Sequence, residues 1–285
     1  MGNDDVWGLQ GKVVVVVGAG GGGIGTAIAR RLGLAGAAVA AVDVDADKLA
    51  VCTDALAADG VTHLGLLADG RDAAAVDAAV ERATELGPLH GSVQVAGGIW
   101  PPQWAPFASD DPAFDDVVAL NLGATVNAVR AVGRRLVAQG TGGSIVNIST
   151  ISALTAFPYA HAYAAAKAAV LSLTRSLAVE WGRVGFRVNA VAPGSIATPK
   201  SAAVNDPDAE AQRRADDEVI PMRRRGTSDE IAAPVLFLMS ELAGYVTGQV
   251  VAVDGGASVR PAVNARDELP VFVHNDELRA RLLEG

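Results

Sequence analysis

Apolar residues along the chain fall into short unbroken runs, separated by longer stretches in which they recur every three or four positions. The first run, 12–17, ends in five valines bounded by Gly11 and Gly18. Stiff β-branched residues between glycines predict a buried strand. Residues 24–35 (IGTAIARRLGLA) carry apolar side chains at helical spacing, with Gly36 as a stop. The rhythm then repeats. Strands are predicted at 39–43, 63–69, 92–97, 144–149, 187–193 and 249–256, and helices near 46–58, 72–86, 112–138, 160–181 and 228–241. Strands apolar on both faces and alternating with helices indicate a parallel sheet covered on two sides. The economical reading is a single doubly wound α/β domain over 1–258, Rossmann-type, with a mostly seven-stranded parallel sheet. Residues 259–285 are more charged, do not extend the alternation, and read as a C-terminal tail with a short final helix.

Composition narrows the classes of function. The chain has 285 residues, half of them apolar and 19% charged, enough for a sizeable core. Its 23 basic against 32 acidic residues give a net charge of -9, which argues against a nucleic-acid surface; the arginine run at 223–225 is too short to reverse this. Cys52 is the one cysteine, so no intramolecular disulfide can form. His63, His90, His161 and His274 show no zinc-ligand spacing, and no metal is expected. Neither a signal sequence nor an apolar run of about 20 residues is visible, so no membrane partner is expected and a cytoplasmic location is.

The valines run straight into GAGGGGIG. Strand, glycine turn and helix start together make an anion site, because amides at a helix start lack internal partners and the dipole favours negative charge. Gly18, Gly20 and Gly23 satisfy G-x-G-x-x-G, and so do Gly20, Gly22 and Gly25. A nucleotide-triphosphate loop would need Lys and Ser or Thr where Ile24 and Gly25 stand. Asp43 ends the second predicted strand, 18 residues beyond Gly25, where a dinucleotide fold places the acid for the adenosine ribose. A carboxylate there repels a 2′-phosphate and favours NAD over NADP. Helix N-capping is the simpler role for such an acid, and Asp45 or Asp47 could fill it instead. Calcium is discounted, since Lys48 and Asp54 occupy the required glycine and glutamate positions.

YAAAK places Tyr163 and Lys167 one helical turn apart. A phenol is a poor base at neutral pH, but a nearby ammonium favours the phenolate and lowers its pKa. A hydroxyl from Ser149–Thr150, at the end of the preceding strand, would hold the substrate oxygen.

With these motifs in this order, the chain resembles the short-chain dehydrogenase/reductase family over roughly residues 8–258. The likeness includes the glycine turn, Asp43, Asp69, Asn121, PGSIAT (193–198) and GYVTGQVVAVDGG (244–256). It implies that Tyr163 is the general acid/base and that Lys167 holds the nicotinamide ribose and depresses the tyrosine pKa. Asn121 would maintain a water-linked proton route. Gly18, Gly23, Ile24 and Gly25 would take the pyrophosphate, Asp69 the adenine, and Ala96 and Gly97 would let the cofactor lie close. Pro193, Gly194, Ile196 and Thr198 would border the nicotinamide and its phosphates. A homotetramer is also implied.

Three departures stand out. Gly18 and Gly23 enclose four residues where the family has three, and Val17 replaces a common threonine. The family's Asn-Asn-Ala-Gly becomes QVAG (94–97). The position of the catalytic serine, thirteen before the tyrosine, is Thr150, with Ser149 or Ser152 as fallbacks. Trp100, Phe157 and His161, with Trp104 and Phe107, suggest a largely apolar substrate wall, and 199–220 a lid. The expected activity is transfer of a hydride between NAD and a secondary alcohol or ketone, with a cyclic or aromatic substrate. An NADPH-linked 3-oxoacyl carrier reductase and a non-catalytic dinucleotide-binding protein are the alternatives.

Overall fold

The computed structural model describes residues 5–99, 113–199, 220–259 and 276–283. Seven parallel strands form the main sheet: β1 (Val13–Val17), β2 (Ala38–Asp43), β3 (His63–Leu67), β4 (Leu89–Gln94), β5 (Gly143–Ile148), β6 (Phe186–Pro193) and, numbered in chain order after two short strands, β9 (Val250–Val253). The short pair is β7 (Ile196–Ala197) and β8 (Gly226–Thr227). Strand order is β3-β2-β1-β4-β5-β6-β9, so the chain reverses direction across the sheet between β1 and β4.

The five valines of β1 explain its central place. Val14 and Val16 pack on one face with Ile28 and Leu32 of α1 (Ile24–Leu34) and Leu236 and Leu238 of α7 (Ser228–Met239). Val13, Val15 and Val17 pack on the other with Val76 and Val80 of α3 (Ala73–Ala83) and Val132 and Leu136 of α5 (Ala124–Gln139). Each buried valine contributes about 1.5–3 kcal/mol relative to exposure, so a strand filled on both sides is strongly fixed. The remaining described helices are α2 (Ala46–Ala58), α4 (Phe114–Val118), α6 (His161–Trp181) and, after the sheet, α8 (Asp276–Leu283).

Several element ends differ from the sequence expectation. The strand expected at 92–97 runs from Leu89 to Gln94, because the amides of Val95 and Ala96 both turn to the Val17 carbonyl and end the ladder. The strands expected at 63–69 and 249–256 stop at Leu67 and Val253, the latter before a turn with positive φ at Gly255 and Gly256. The helix expected at 112–138 is interrupted by one π-type turn, Ala119–Gly123. No described helix is long and apolar enough to cross a membrane.

Candidate active site

The C-terminal ends of β1, β2, β4 and β5 meet at the reversal of strand order, the usual position for a ligand crevice in such sheets. Gly18 closes β1 with φ +84°, and a Cβ there would lie 2.5 Å from the Ala96 nitrogen. Only glycine allows the ends of β1 and β4 to touch in this way.

Accounting for each backbone amide explains how the turn absorbs its additional residue. Gly18 and Ala19 donate to the Val42 carbonyl, and Gly21 to that of Lys48. Gly20 donates to Asp43 Oδ2 at 2.8 Å and Gly22 to Thr26 Oγ1 at 3.1 Å. The Thr26 hydroxyl, buried, donates in turn to the Ala19 carbonyl at 2.7 Å and so ties both ends of the turn. The amides of Gly23, Ile24 and Gly25 have no partner among the described residues. They open α1, whose N-cap residue Gly23 brings no side-chain cap. Three unpaired N–H groups at a helix start, on a turn kept clear of side chains, suit a pyrophosphate. Thr198 lies beside Gly23, and Pro199 beside Gly22. Thr26 was missed in the sequence, where nothing but its place after GIG marks it.

Asp43 does not cap α2; that role falls to Asp45, which accepts from the Lys48 amide. Asp43 instead accepts from Gly20 and, through Oδ1, from the Asp45 amide, which sets its carboxylate against the glycine turn. Asp69, beyond β3, is held by Arg71 through Nε and Nη2, and this pair keeps its carboxyl below the usual range. Asn127 fixes the loop by donating to the carbonyls of Gly70 and Arg71. Arg71 and Asn127 were also absent from the sequence reading.

Tyr163 and Lys167 lie on the first turns of α6. Lys167 is 2% exposed, and its Nζ donates to the Ile148 carbonyl at 3.0 Å. Burial pushes this ammonium down to about 8. Gly97, φ +150°, faces the same point: a Cβ there would stand 2.9 Å from Lys167 Nζ and 2.5 Å from Asn121 Oδ1. Asn121 is the buried residue of the π-type turn, a distortion frequent at functional sites. Its amide donates to Gly98 and Val117 carbonyls and accepts from the Gly98 amide, which anchors the loop after β4.

Tyr163 keeps partial exposure, and the Thr150 hydroxyl stands near enough to its phenol to favour the phenolate. The expected lowering of the phenol by lysine is corrected here. Burial raises it, the nearby Thr150 hydroxyl opposes that rise, and the lysine ammonium, one of whose N–H groups goes to Ile148, does not lower it. The fallback hydroxyls separate clearly. Ser149 Oγ donates to the Lys167 carbonyl inside the fold, whereas Ser152 Oγ stands 3.4 Å from Thr150 Oγ1. Gln94, which stands in the family's asparagine position, donates to Ser92 at 2.7 Å and leaves its carbonyl oxygen unpaired.

Pro193 ends β6, Gly194 donates to the Val253 carbonyl, and Ile196 pairs with Gly226 beside them. Phe157 and His161, both partly buried, flank the start of α6. Trp100, Trp104 and Phe107 and almost all of 199–220 lie outside the described residues. No group of three or more metal-ligating side chains occurs among the described residues.

The family profile described as enoyl-(acyl carrier protein) reductase matches residues 18–258. Galactitol 2-dehydrogenase (L-tagatose-forming) of Cereibacter sphaeroides is 39% identical over 196 residues, 68% of this chain and 75% of the relative. Levodione reductase of Leifsonia aquatica is 39% identical over 220 residues, 75% of this chain and 80% of the relative. A crystal structure of levodione reductase superposes with a TM-score of 0.82 at 34% identity, covering 89% of this chain and all of that one. A gluconate 5-dehydrogenase from Burkholderia cenocepacia, in complex with NADP and tartrate, gives a TM-score of 0.81 at 30% identity over 90% and 99% of the two chains. The seven-stranded parallel sheet flanked by helices matches the fold of these solved structures. This chain belongs to the short-chain dehydrogenase/reductase family, whose members are oxidoreductases of alcohols and ketones.

Proposed function

We propose that the protein is an NAD-dependent dehydrogenase or reductase of a secondary alcohol or its ketone, acting on an apolar cyclic or aromatic substrate. The observation that carries this reading is the grouping of Tyr163, Thr150 and Lys167 beside Gly97 and Asn121, at the sheet edge that also holds the open amides of Gly23, Ile24 and Gly25. Bound nicotinamide would supply the hydride acceptor or donor. Gly18, Gly23, Ile24 and Gly25 hold the pyrophosphate, Asp43 the ribose and Asp69 the adenine, while Ala96 and Gly97 keep the crevice floor low. Pro193, Gly194, Ile196 and Thr198 border the nicotinamide end. Tyr163 transfers the proton at the substrate oxygen, and Thr150 holds that oxygen by its hydroxyl. Lys167, whose Nζ keeps N–H groups beyond its bond to Ile148, would hold the nicotinamide ribose. Asn121 anchors the loop after β4 and would maintain a water-linked proton route through the lysine. Trp100, Phe157 and His161 contribute the substrate wall. Residues 1–258 form this catalytic unit, 259–285 are a tail, and the enzyme works as a cytoplasmic homotetramer.

NADP is the second reading, favoured by its presence in the gluconate 5-dehydrogenase complex. Asp43 opposes it, since its carboxylate on the glycine turn repels a 2′-phosphate. Fluorescence titration with both dinucleotides decides the matter: NAD binds at least about tenfold tighter, and Asp43→Asn narrows the ratio by about tenfold or more. Equal affinity in both proteins rejects the NAD assignment. A screen of cyclic, aromatic and polyol alcohols, followed by nicotinamide absorbance, tests the substrate class; turnover confined to polyols would reject an apolar substrate.

A further inference from the structure

A second cavity, of about 420 Å3, opens at the opposite edge of the sheet. Its walls are the N-terminal ends of β1, β4, β5 and β6 and the turn after α7. The catalytic groups lie a strand length away, about 17 Å for five residues. Lys12, His90, Arg187 and Glu241 supply its charged and titratable groups, and Gln139 and Thr141 add neutral polar ones.

The charge balance of this cavity runs against that of the chain. The protein carries -9, yet the cavity has two fixed cations and one carboxylate. That carboxylate, Glu241, is engaged by Lys12 at 3.0 Å. Arg187 has no carboxylate partner among the described residues; its Nη1 and Nη2 donate to the carbonyls of Leu238 (2.6 Å) and Ser240 (3.1 Å). His90 Nε2 lies 2.7 Å from the carbonyl of Met239. A carbonyl only accepts, so Nε2 bears the ring proton and Nδ1 is the site for a second.

Three successive carbonyls at the end of α7 thus receive Arg187 and His90, which cap the helix. Capping accounts for their position but not for their charge. A helix C-terminus offers about half a negative charge, against a full guanidinium with five N–H groups. The surplus is felt at His90, which burial holds low and which Lys12 and Arg187 push further down, against the hydrogen bond to the Met239 carbonyl and the charge of Glu241. Burial lowers Arg187 as well, with no offsetting anion.

We propose that this cavity is a second ligand site, for a small polyanion of the phosphate or polycarboxylate type, held by Arg187 and Lys12 with His90 taking up a proton as the ligand binds. The site is independent of the dinucleotide reading, and its decisive readouts are ligand binding and melting rather than turnover.

The test uses the full chain with inorganic phosphate and citrate as separate probes, and sodium chloride at matched ionic strength as the control. His90 ring resonances, identified by their loss in His90→Gln, are followed by NMR during pH titration. Phosphate, citrate or both should raise the His90 midpoint and the melting temperature beyond the effect of chloride; the arm that responds names the ligand chemistry. Arg187→Gln risks losing the helix cap, so the decisive variant is Lys12→Glu, at a partly exposed position whose ion pair contributes little to stability. It should fold, keep alcohol turnover and weaken the responding probe by about tenfold or more. His90 resonances indifferent to both probes, a response that chloride reproduces, or equal binding to Lys12→Glu would each overturn the proposal.

Discussion

Lys167 and Arg187 are both cations held inside the fold without a carboxylate partner among the described residues, one at each edge of the sheet. Desolvation lowers both. Their settings then diverge. Arg187 spreads a permanent charge over two carbonyls and finishes a helix, a task for which a group that keeps its proton is suited. Lys167 has one carbonyl, a pKa brought down to about 8, and a glycine and an asparagine kept against it. An ammonium so placed can respond to a charge developing beside it. The same physical penalty therefore supports structure at one edge and chemistry at the other.

The contrast predicts variants of unequal effect. Tyr163→Phe removes the proposed proton carrier and should reduce kcat by about 10³ while dinucleotide affinity stays within about twofold. Single-turnover kinetics with equilibrium titration measures both, and undiminished turnover would remove tyrosine from the mechanism. Lys167→Met should lower kcat by about 10² yet raise stability, because it deletes a buried charge. The sign with pH follows from the two pKa values. Below about 8 the lysine is protonated in both folded and unfolded chains, and the penalty is full. Between about 8 and the ordinary 10.5 the unfolded chain binds more protons, so wild-type stability gains on the variant as pH rises. The gain is on the order of 3 kcal/mol. Denaturant melts of both proteins across that interval check it, and parallel curves would show that the ammonium is not desolvated.

Arg187→Gln should do the reverse. It loses about 1–3 kcal/mol through unpaired helix-end carbonyls, while kcat per folded molecule is preserved. A large drop in kcat without loss of stability would erase the division between the edges. The smallest effect is expected at the hydroxyl beside the phenol. Thr150→Ser keeps the donor and should change kcat/KM by no more than about threefold, whereas Thr150→Ala should cost about tenfold or more. Equal losses in both would point to the methyl group rather than the hydroxyl.

Much of this was legible in the chain because the signals are local. Five valines between glycines can hardly be anything but a buried strand, and the alternation of runs and periodic stretches set the parallel sheet. The order of motifs, from GAGGGGIG to YAAAK, carried the family. Element ends were less legible. β4 stops at Gln94 because Val95 and Ala96 reach across to the Val17 carbonyl, a contact between segments more than 70 residues apart.

Only the tertiary structure decided how individual polar groups are used. Sequence identifies Asp43 and Asp45 as acids near a helix start; the packed turn gives the cap to Asp45 and Gly20 to Asp43. Sequence places three hydroxyls before the tyrosine; the fold turns Ser149 inward to the Lys167 carbonyl and leaves Thr150 near the phenol. The direction of the tyrosine shift was likewise settled by burial, which spacing along a helix does not contain. Hydrophobic patterning is read residue by residue and survives translation into sequence. A hydrogen bond or a pKa depends on which distant groups share one small volume, and those neighbours exist only once the chain has closed.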